Sequence, residues 1–260
     1  MGDTLIGTCG YRYYDPGEGW QEEYESKLQA YSDAFAVGEL NRTFYELPLL
    51  PTAERWRREA AGGFEFALKA WQAMTHPWRS PTWNGHRDTV PDDRTDEVGY
   101  LRPTALVREA WERTRETATA LETRVVVVQT PPSFDCTDEH ERNLRNLLGE
   151  VDRGGLTVAW EPRGDWGEHP DRVAEICEDL DLIHVVDPMR DDPLTGGPVY
   201  TRLHGLNEDP YDYNYEYSEA ELDDLAGKLR RYDDRERTYC MFNNDAMYSD
   251  ARALRDRLSG

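Results

Sequence analysis

The stretch VYTRLHG (199–205) alternates from end to end: Tyr200, Arg202 and His204 fall on one side, Thr201 and Leu203 on the other. A period of two predicts a β-strand with one set of side chains on each face. An arginine and a histidine on one face of a strand call for a polar destination, because charged groups are rarely buried without partners.

Seven further runs have strand character: 4–10 (TLIGTCG), 36–41 (AVGELN), 64–70 (FEFALKA), 124–130 (RVVVVQT), 156–162 (LTVAWEP), 182–187 (LIHVVD) and 237–244 (RTYCMFNN). Helical patterns fall between them, at 20–35, 51–61, 102–122, 138–150, 170–180, 218–232 and 245–258. Pro51 opens one helix, and Ser218 with Glu221 forms a capping box for another. Eight strands with intervening helices predict an α/β chain, a single (β/α)8 TIM barrel over 1–260. A doubly wound open sheet is the alternative, but it favours a G-x-G-x-x-G turn after the first strand, and GTCGY (7–11) has none.

Three connections stand out. A long insertion, 71–101, follows the third strand and carries Trp71, Trp78, Trp83, His76 and His86. An irregular link, 188–198, joins strands six and seven. Residues 205–217 follow strand seven with Tyr211, Tyr213, Tyr215 and Tyr217. In a barrel, loops that follow strands lie at the C-terminal face, where barrel active sites are built. Most of their aromatic rings are expected to pack the loops down.

Composition narrows the partners. The chain has 52 acidic and 30 basic residues and a formal net charge of -22, with Lys27, Lys69 and Lys228 as its only lysines. An acidic, lysine-poor chain that still has apolar runs fits a salt-rich, haloarchaeal-type cytoplasm, where salt screens carboxylate repulsion. The acidity argues against nucleic-acid binding, which needs phosphate neutralisation. No apolar stretch has membrane-spanning length, and the first residues lack signal-peptide character. Cys9, Cys136, Cys177 and Cys240 are scattered, as expected of reduced thiols in a cytoplasmic protein.

Alternation also assigns faces. Phe64, Phe66 and Leu68 oppose Glu65, Ala67 and Lys69; Val158 and Trp160 oppose Thr157, Ala159 and Glu161. If the bulky faces meet the helices, the polar faces point inward. The strand ends then direct Glu39, Asn41, Lys69, Gln129, Glu161, Asp187, Arg202, His204 and Asn243 toward one axis.

The motifs GTCGYRYYD (7–15), ELNRTFYELP (39–48), FEFALKAWQAMTH (64–76), QTPPSFD (129–135), AWEPRGDW (159–166), VYTRLHG (199–205) and MFNND (241–245) occur in the order and spacing of domain-of-unknown-function family 72, also called the YecE-like family. The chain resembles that family over essentially its whole length. The resemblance implies a TIM barrel and names no reaction. It keeps Glu161 and Arg163 in the family pattern, and Tyr11 in the first motif joins the binding set. Family members usually have serine where Cys9 stands, so the resemblance gives Cys9 no catalytic role.

Three chemistries suit these residues. The first is an enzyme (a hydrolase, lyase or isomerase) acting on an anionic small molecule, phosphorylated or a sugar acid. Lys69 and Arg202 would hold the anion, with Asn41, Gln129, Asn243, Asp187, Arg163 and Tyr11 as binding partners. Glu161 or Glu39 would be the general base and His204 the acid, and Lys69 is the candidate for a Schiff base. This reading needs no cofactor. The second places Mg²⁺ or Mn²⁺ among Glu39, Glu161, Asp187 and His204, as in sugar isomerases or endonuclease IV-like phosphodiesterases. Lys69 and Arg202 in the same ring argue against a metal. The third is a non-catalytic module whose aromatic loops stack on a sugar or a nucleobase. The residues leave the oligomeric state open.

The charge balance yields a first prediction: the melting temperature should rise along a KCl series starting from low salt, as screening relieves repulsion among the surface carboxylates. A flat or falling series would reject the salt-adapted reading.

Overall fold

The computed structural model describes residues 3–209 and 212–259; Tyr211 lies outside the described residues. Eight strands are found among them: β1 (Asp3–Thr8), β2 (Val37–Leu40), β3 (Glu65–Lys69), β4 (Val125–Gln129), β5 (Thr157–Glu161), β6 (Leu182–Val186), β7 (Val199–Leu203) and β8 (Arg237–Phe242). They are parallel, follow sequence order and form a closed barrel in which β8 pairs with β1. Every strand predicted from the sequence is present, each trimmed by one or two residues, and β1 begins one residue earlier than predicted. The helices are α1 (Lys27–Ala34), α2 (Arg42–Tyr45), α3 (Leu50–Glu59), α4 (Ala105–Ala120), α5 (Asp138–Glu150), α6 (Pro170–Asp179), α7 (Glu219–Arg230) and α8 (Met247–Ser259). None is long and apolar enough to cross a membrane.

The described residues fall into two compact units. The first holds those up to Glu39, Arg58–Glu65 and those from Val185 onward; the second holds Leu40–Arg57 and Phe66–His184.

The first unit is organised around Tyr31, which is fully buried. Its hydroxyl accepts from the Thr8 backbone N–H at 2.9 Å and donates to the Val37 carbonyl at 3.0 Å, tying α1 to β1 and β2. Its ring stacks on Phe35 with centroids 4.8 Å apart. β1 and β2 pair through Gly7 and Val37, and a Cβ at Gly7 would lie 2.0 Å from the Val37 carbonyl oxygen. The 20–35 helix expected from the sequence is two pieces: a 3-10 turn, Trp20–Glu22, and then α1, which begins where Ser26 accepts from the Gln29 N–H at 3.1 Å. The Ser218–Glu221 capping box forms as predicted.

In the second unit Val125–Val128 are all buried, as a parallel strand covered on both faces requires. α4 turns Leu106, Val107, Ala110, Trp111, Thr114, Thr117 and Ala118 inward at helical spacing, and Thr104 caps its start. The insertion after β3 contains three 3-10 turns, Pro81–Trp83, Arg87–Thr89 and Asp92–Arg94, with Trp71 and Trp83 buried. The half-buried His140 ring stacks on Phe134 with centroids 4.4 Å apart.

The contact at Gly7 is backbone against backbone, so no side-chain rotation relieves it. Gly7→Ala should destabilise the protein by about 1–3 kcal/mol or more, read as a lower urea midpoint. A midpoint equal to wild type would show that the β1–β2 approach is looser than described.

Candidate functional site

The strand ends present two groups of polar residues, one in each unit. In the first unit, Glu39 of β2 meets Arg202 and Tyr200 of β7. Arg202 Nη2 donates to Glu39 Oε1 at 2.9 Å, and the Tyr200 hydroxyl donates to Oε2 at 2.8 Å. All three are buried, Arg202 at 2% exposure and Glu39 at 0%. β2 and β7 are not neighbours in the sheet, so these side chains meet across the barrel interior, as the alternation of VYTRLHG predicts. Arg202 Nη2 also lies 3.6 Å from Cys9 Sγ. Burial first, and Glu39 second, push the Cys9 thiol far above the ordinary thiol range. Burial thus favours the neutral thiol of Cys9 over the thiolate.

Around this group, the ends of β6, β7 and β8 carry Asp187, His204 and Asn243. Asp187 Oδ1 accepts from the Met189 N–H at 2.9 Å, while Oδ2 has no hydrogen-bond partner and lies 3.9 Å from Arg190 Nε. Burial first, against hydrogen bonds from the Met189 and His204 backbones, raises the Asp187 carboxyl to about 6. The His204 ring sits beside Tyr213 with centroids 5.5 Å apart. The Asn243 N–H donates to the Leu203 carbonyl at 2.8 Å. Tyr11, after β1, packs against Tyr31. After β8 the Asp245 N–H donates to the Tyr213 carbonyl at 2.8 Å.

In the second unit, Lys69 ends β3. Its ammonium donates to Gln129 Oε1 at 2.6 Å and stands 4.1 Å from the centre of the Phe44 ring, a cation–π distance. Gln129 is the register partner of Glu161. Glu161 accepts from Arg163 Nη2 at 2.5 Å. Asn41 precedes α2, where its carbonyl accepts from the Phe44 N–H at 3.2 Å. The charges of Lys69 and Arg163 both bear on His76.

Arg202 thus pairs with Glu39, and Lys69 with Gln129. Sequence reasoning missed Tyr200, although it shares the Arg202 face. It also left out His76 and Gln72 of the insertion. Gln72 is fully buried with neither side-chain end hydrogen-bonded; the motif FEFALKAWQAMTH contained both residues. Among the described residues no three His, Cys, Asp or Glu side chains group as metal ligands. Glu39 and Glu161, two of the residues considered as metal ligands, each accept from a guanidinium group.

The chain matches the family described as "Protein of unknown function DUF72" over residues 5–259 and belongs to it. It is 27% identical to the UPF0759 protein YunF of Bacillus subtilis, across 93% of this chain and 88% of YunF. Among solved structures it resembles a DUF72 family protein from Enterococcus faecalis, with a TM-score of 0.76 and 17% identity over 99% of this chain and 96% of that one. The fold extends to a D-tagatose 3-epimerase-like protein (TM-score 0.57, 14% identity, 98% and 96% covered) and to endonuclease IV from Thermus thermophilus (0.52, 13%, 97% and 97%).

Asp187 yields a pH prediction. Its folded pKa of about 6 stands above the ordinary 3.8. The stability linked to its protonated form is therefore fully present below that ordinary value and is lost as pH rises through about 6. Asp187→Asn keeps an acceptor for the Met189 N–H and cannot ionise. The variant should match wild type near pH 4 and exceed it by about 2–3 kcal/mol above pH 7, measured by urea unfolding across that range. A constant difference between the two proteins would show that Asp187 ionises normally.

Proposed function

We propose that this DUF72 protein is an enzyme acting on an anionic small molecule, phosphorylated or a sugar acid, bound at the ends of β3, β4 and β5. The carrying observation is the seating of Lys69. Its ammonium is fixed by an amide oxygen at 2.6 Å and an aromatic face at 4.1 Å. Both orient the ammonium and prepare it for an oxyanion at little further ordering cost. Arg163 supplies a second cation with the planar fork that suits carboxylate or phosphate. Glu161, 2.5 Å from that guanidinium, is placed to serve as the base.

Arg202 stands differently. It lies in the first unit, bound to Glu39, so the anion-holding role first given to the Lys69–Arg202 combination is assigned here to Lys69 with Arg163, which shares the unit of Lys69. Asn41 and Gln129, in the same unit as Lys69, remain proposed contributors. The likeness to an epimerase-like protein and to endonuclease IV is one of fold; it agrees with isomerase or phosphodiester chemistry and selects neither.

Calorimetry with sulfate, inorganic phosphate and sugar phosphates tests the reading. Wild type should bind at least one of these, and Lys69→Met should weaken it by about tenfold or more, the loss of one charge-assisted hydrogen bond. Absence of binding to every anion, or equal binding by the variant, would overturn it.

A further inference from the structure

The insertion after β3 is closed by its own backbone. Gly99, Tyr100 and Leu101 donate to the carbonyls of Ala73, Thr75 and Met74 at 2.9, 2.9 and 2.8 Å. Tyr100 and Leu101 adopt φ of 58° and 51° to do so, conformations that persist only where the surroundings enforce them. Gly99, at φ 88°, leaves no room for a side chain: a Cβ would lie 2.5 Å from Pro77 N. Trp83 donates its indole N–H to the Pro77 carbonyl at 3.1 Å. His76 sits inside this closure with its own N–H on the Gln72 carbonyl at 2.8 Å.

The His76 ring is 6% exposed. It stands nearly perpendicular to Phe44, at 84° and a centroid distance of 4.8 Å, and that same Phe44 ring carries the Lys69 ammonium. Nδ1 lies 2.8 Å from Thr75 Oγ1, which is itself buried. With the hydroxyl as donor, Nδ1 is the acceptor and the ring proton resides on Nε2. No hydrogen bond from a described residue reaches Nε2. The charged groups acting on the ring are Lys69 and Arg163; Phe44 and Thr75, which touch it, are uncharged. Burial first, and those two cations second, lower the imidazole to about 3, so it is neutral throughout the physiological range.

We propose that His76 is a third anion-binding residue of the Lys69 site, a neutral imidazole that donates its Nε2–H to a ligand oxyanion. The inference rests on the anion reading of that site and adds a class of ligand to it. A neutral donor beside two cations adds direction without adding charge. That suits a tetrahedral oxyanion such as a phosphate group, with Lys69 on one oxygen and His76 on another.

Two measurements test it, and the first needs no ligand. Long-range proton–nitrogen NMR on the whole protein, with the His76 signals assigned by comparison with His76→Gln, should show Nε2 protonated and Nδ1 bare, unchanged from pH 8 to pH 5. A proton on Nδ1, or an imidazolium by pH 5, overturns the proposal whatever the site binds. The second is calorimetry with inorganic phosphate. His76→Phe keeps an aromatic ring without the donor and should bind about tenfold more weakly. His76→Gln restores an N–H near Nε2 and should stay within about threefold of wild type. Binding lost in Lys69→Met but intact in His76→Phe overturns this proposal and leaves the anion reading standing; equal losses in the Phe and Gln variants overturn the donor role; a wild type that takes no phosphate overturns both.

Discussion

A guanidinium that is 2% exposed cannot stand alone, and Glu39 answers it at 2.9 Å. Removing two charges from water costs several kcal/mol for each ion, roughly, and the attraction between them repays it only with good geometry and satisfied lone pairs. Tyr200 completes the geometry by binding the second Glu39 oxygen at 2.8 Å. Because Tyr200 and Arg202 are two residues apart on β7, one strand face supplies both donors, and β2 must present Glu39 opposite them. That requirement sets which face of each strand turns inward. The close β1–β2 approach at Gly7 and the Tyr31 hydroxyl between the same two strands hold β2 where the ion pair needs it.

The fold was legible because a closed parallel sheet writes itself locally. Each strand is a short alternating or apolar run, and several helices carry their own start signals, such as the Ser218–Glu221 box. Failures came where no period exists. α2 is four residues long and follows β2 directly, too short to show a helical repeat. The segment 20–35 reads as one amphipathic helix, yet Ser26 caps a new start inside it. The inward set of polar strand ends was legible for the same reason as the strands. Its pairing was not: alternation gives the face of a residue and says nothing about which partner lies across the interior. Nothing in the alternation links Arg202 to Glu39, the carboxylate that it binds. His76 went unweighted because it lies in a loop, and its position depends on backbone bonds between residues about 25 apart, such as Thr75 with Tyr100.

Arginine dominance has a visible use outside the strand ends. Arg145 bridges Glu141 and Asp179, and Arg172 bridges Asp138 and Glu141. A guanidinium reaches two carboxylates at once where an ammonium offers a single point charge. Exposed pairs of this kind contribute little singly, about 0–1 kcal/mol. Their value lies in stitching helix to helix across an acidic surface, where each bridging arginine relieves two like charges.

The two strand-end groups show two ways of keeping a cation in a protein interior. Arg202 is matched to a carboxylate and a phenol, so its charge is spent on the architecture of the first unit. Lys69 is seated on an amide and an aromatic face. An amide dipole and a ring quadrupole both favour an ammonium at that point. After burial, the charges of Lys69 and Arg163 disfavour protonation of the neighbouring His76 ring. The proposed chemistry is assigned to the Lys69 group because Lys69, Gln129, Arg163, Glu161 and His76 gather there in one unit, and the Arg202 group, at 2% exposure, is read as the frame of its own unit.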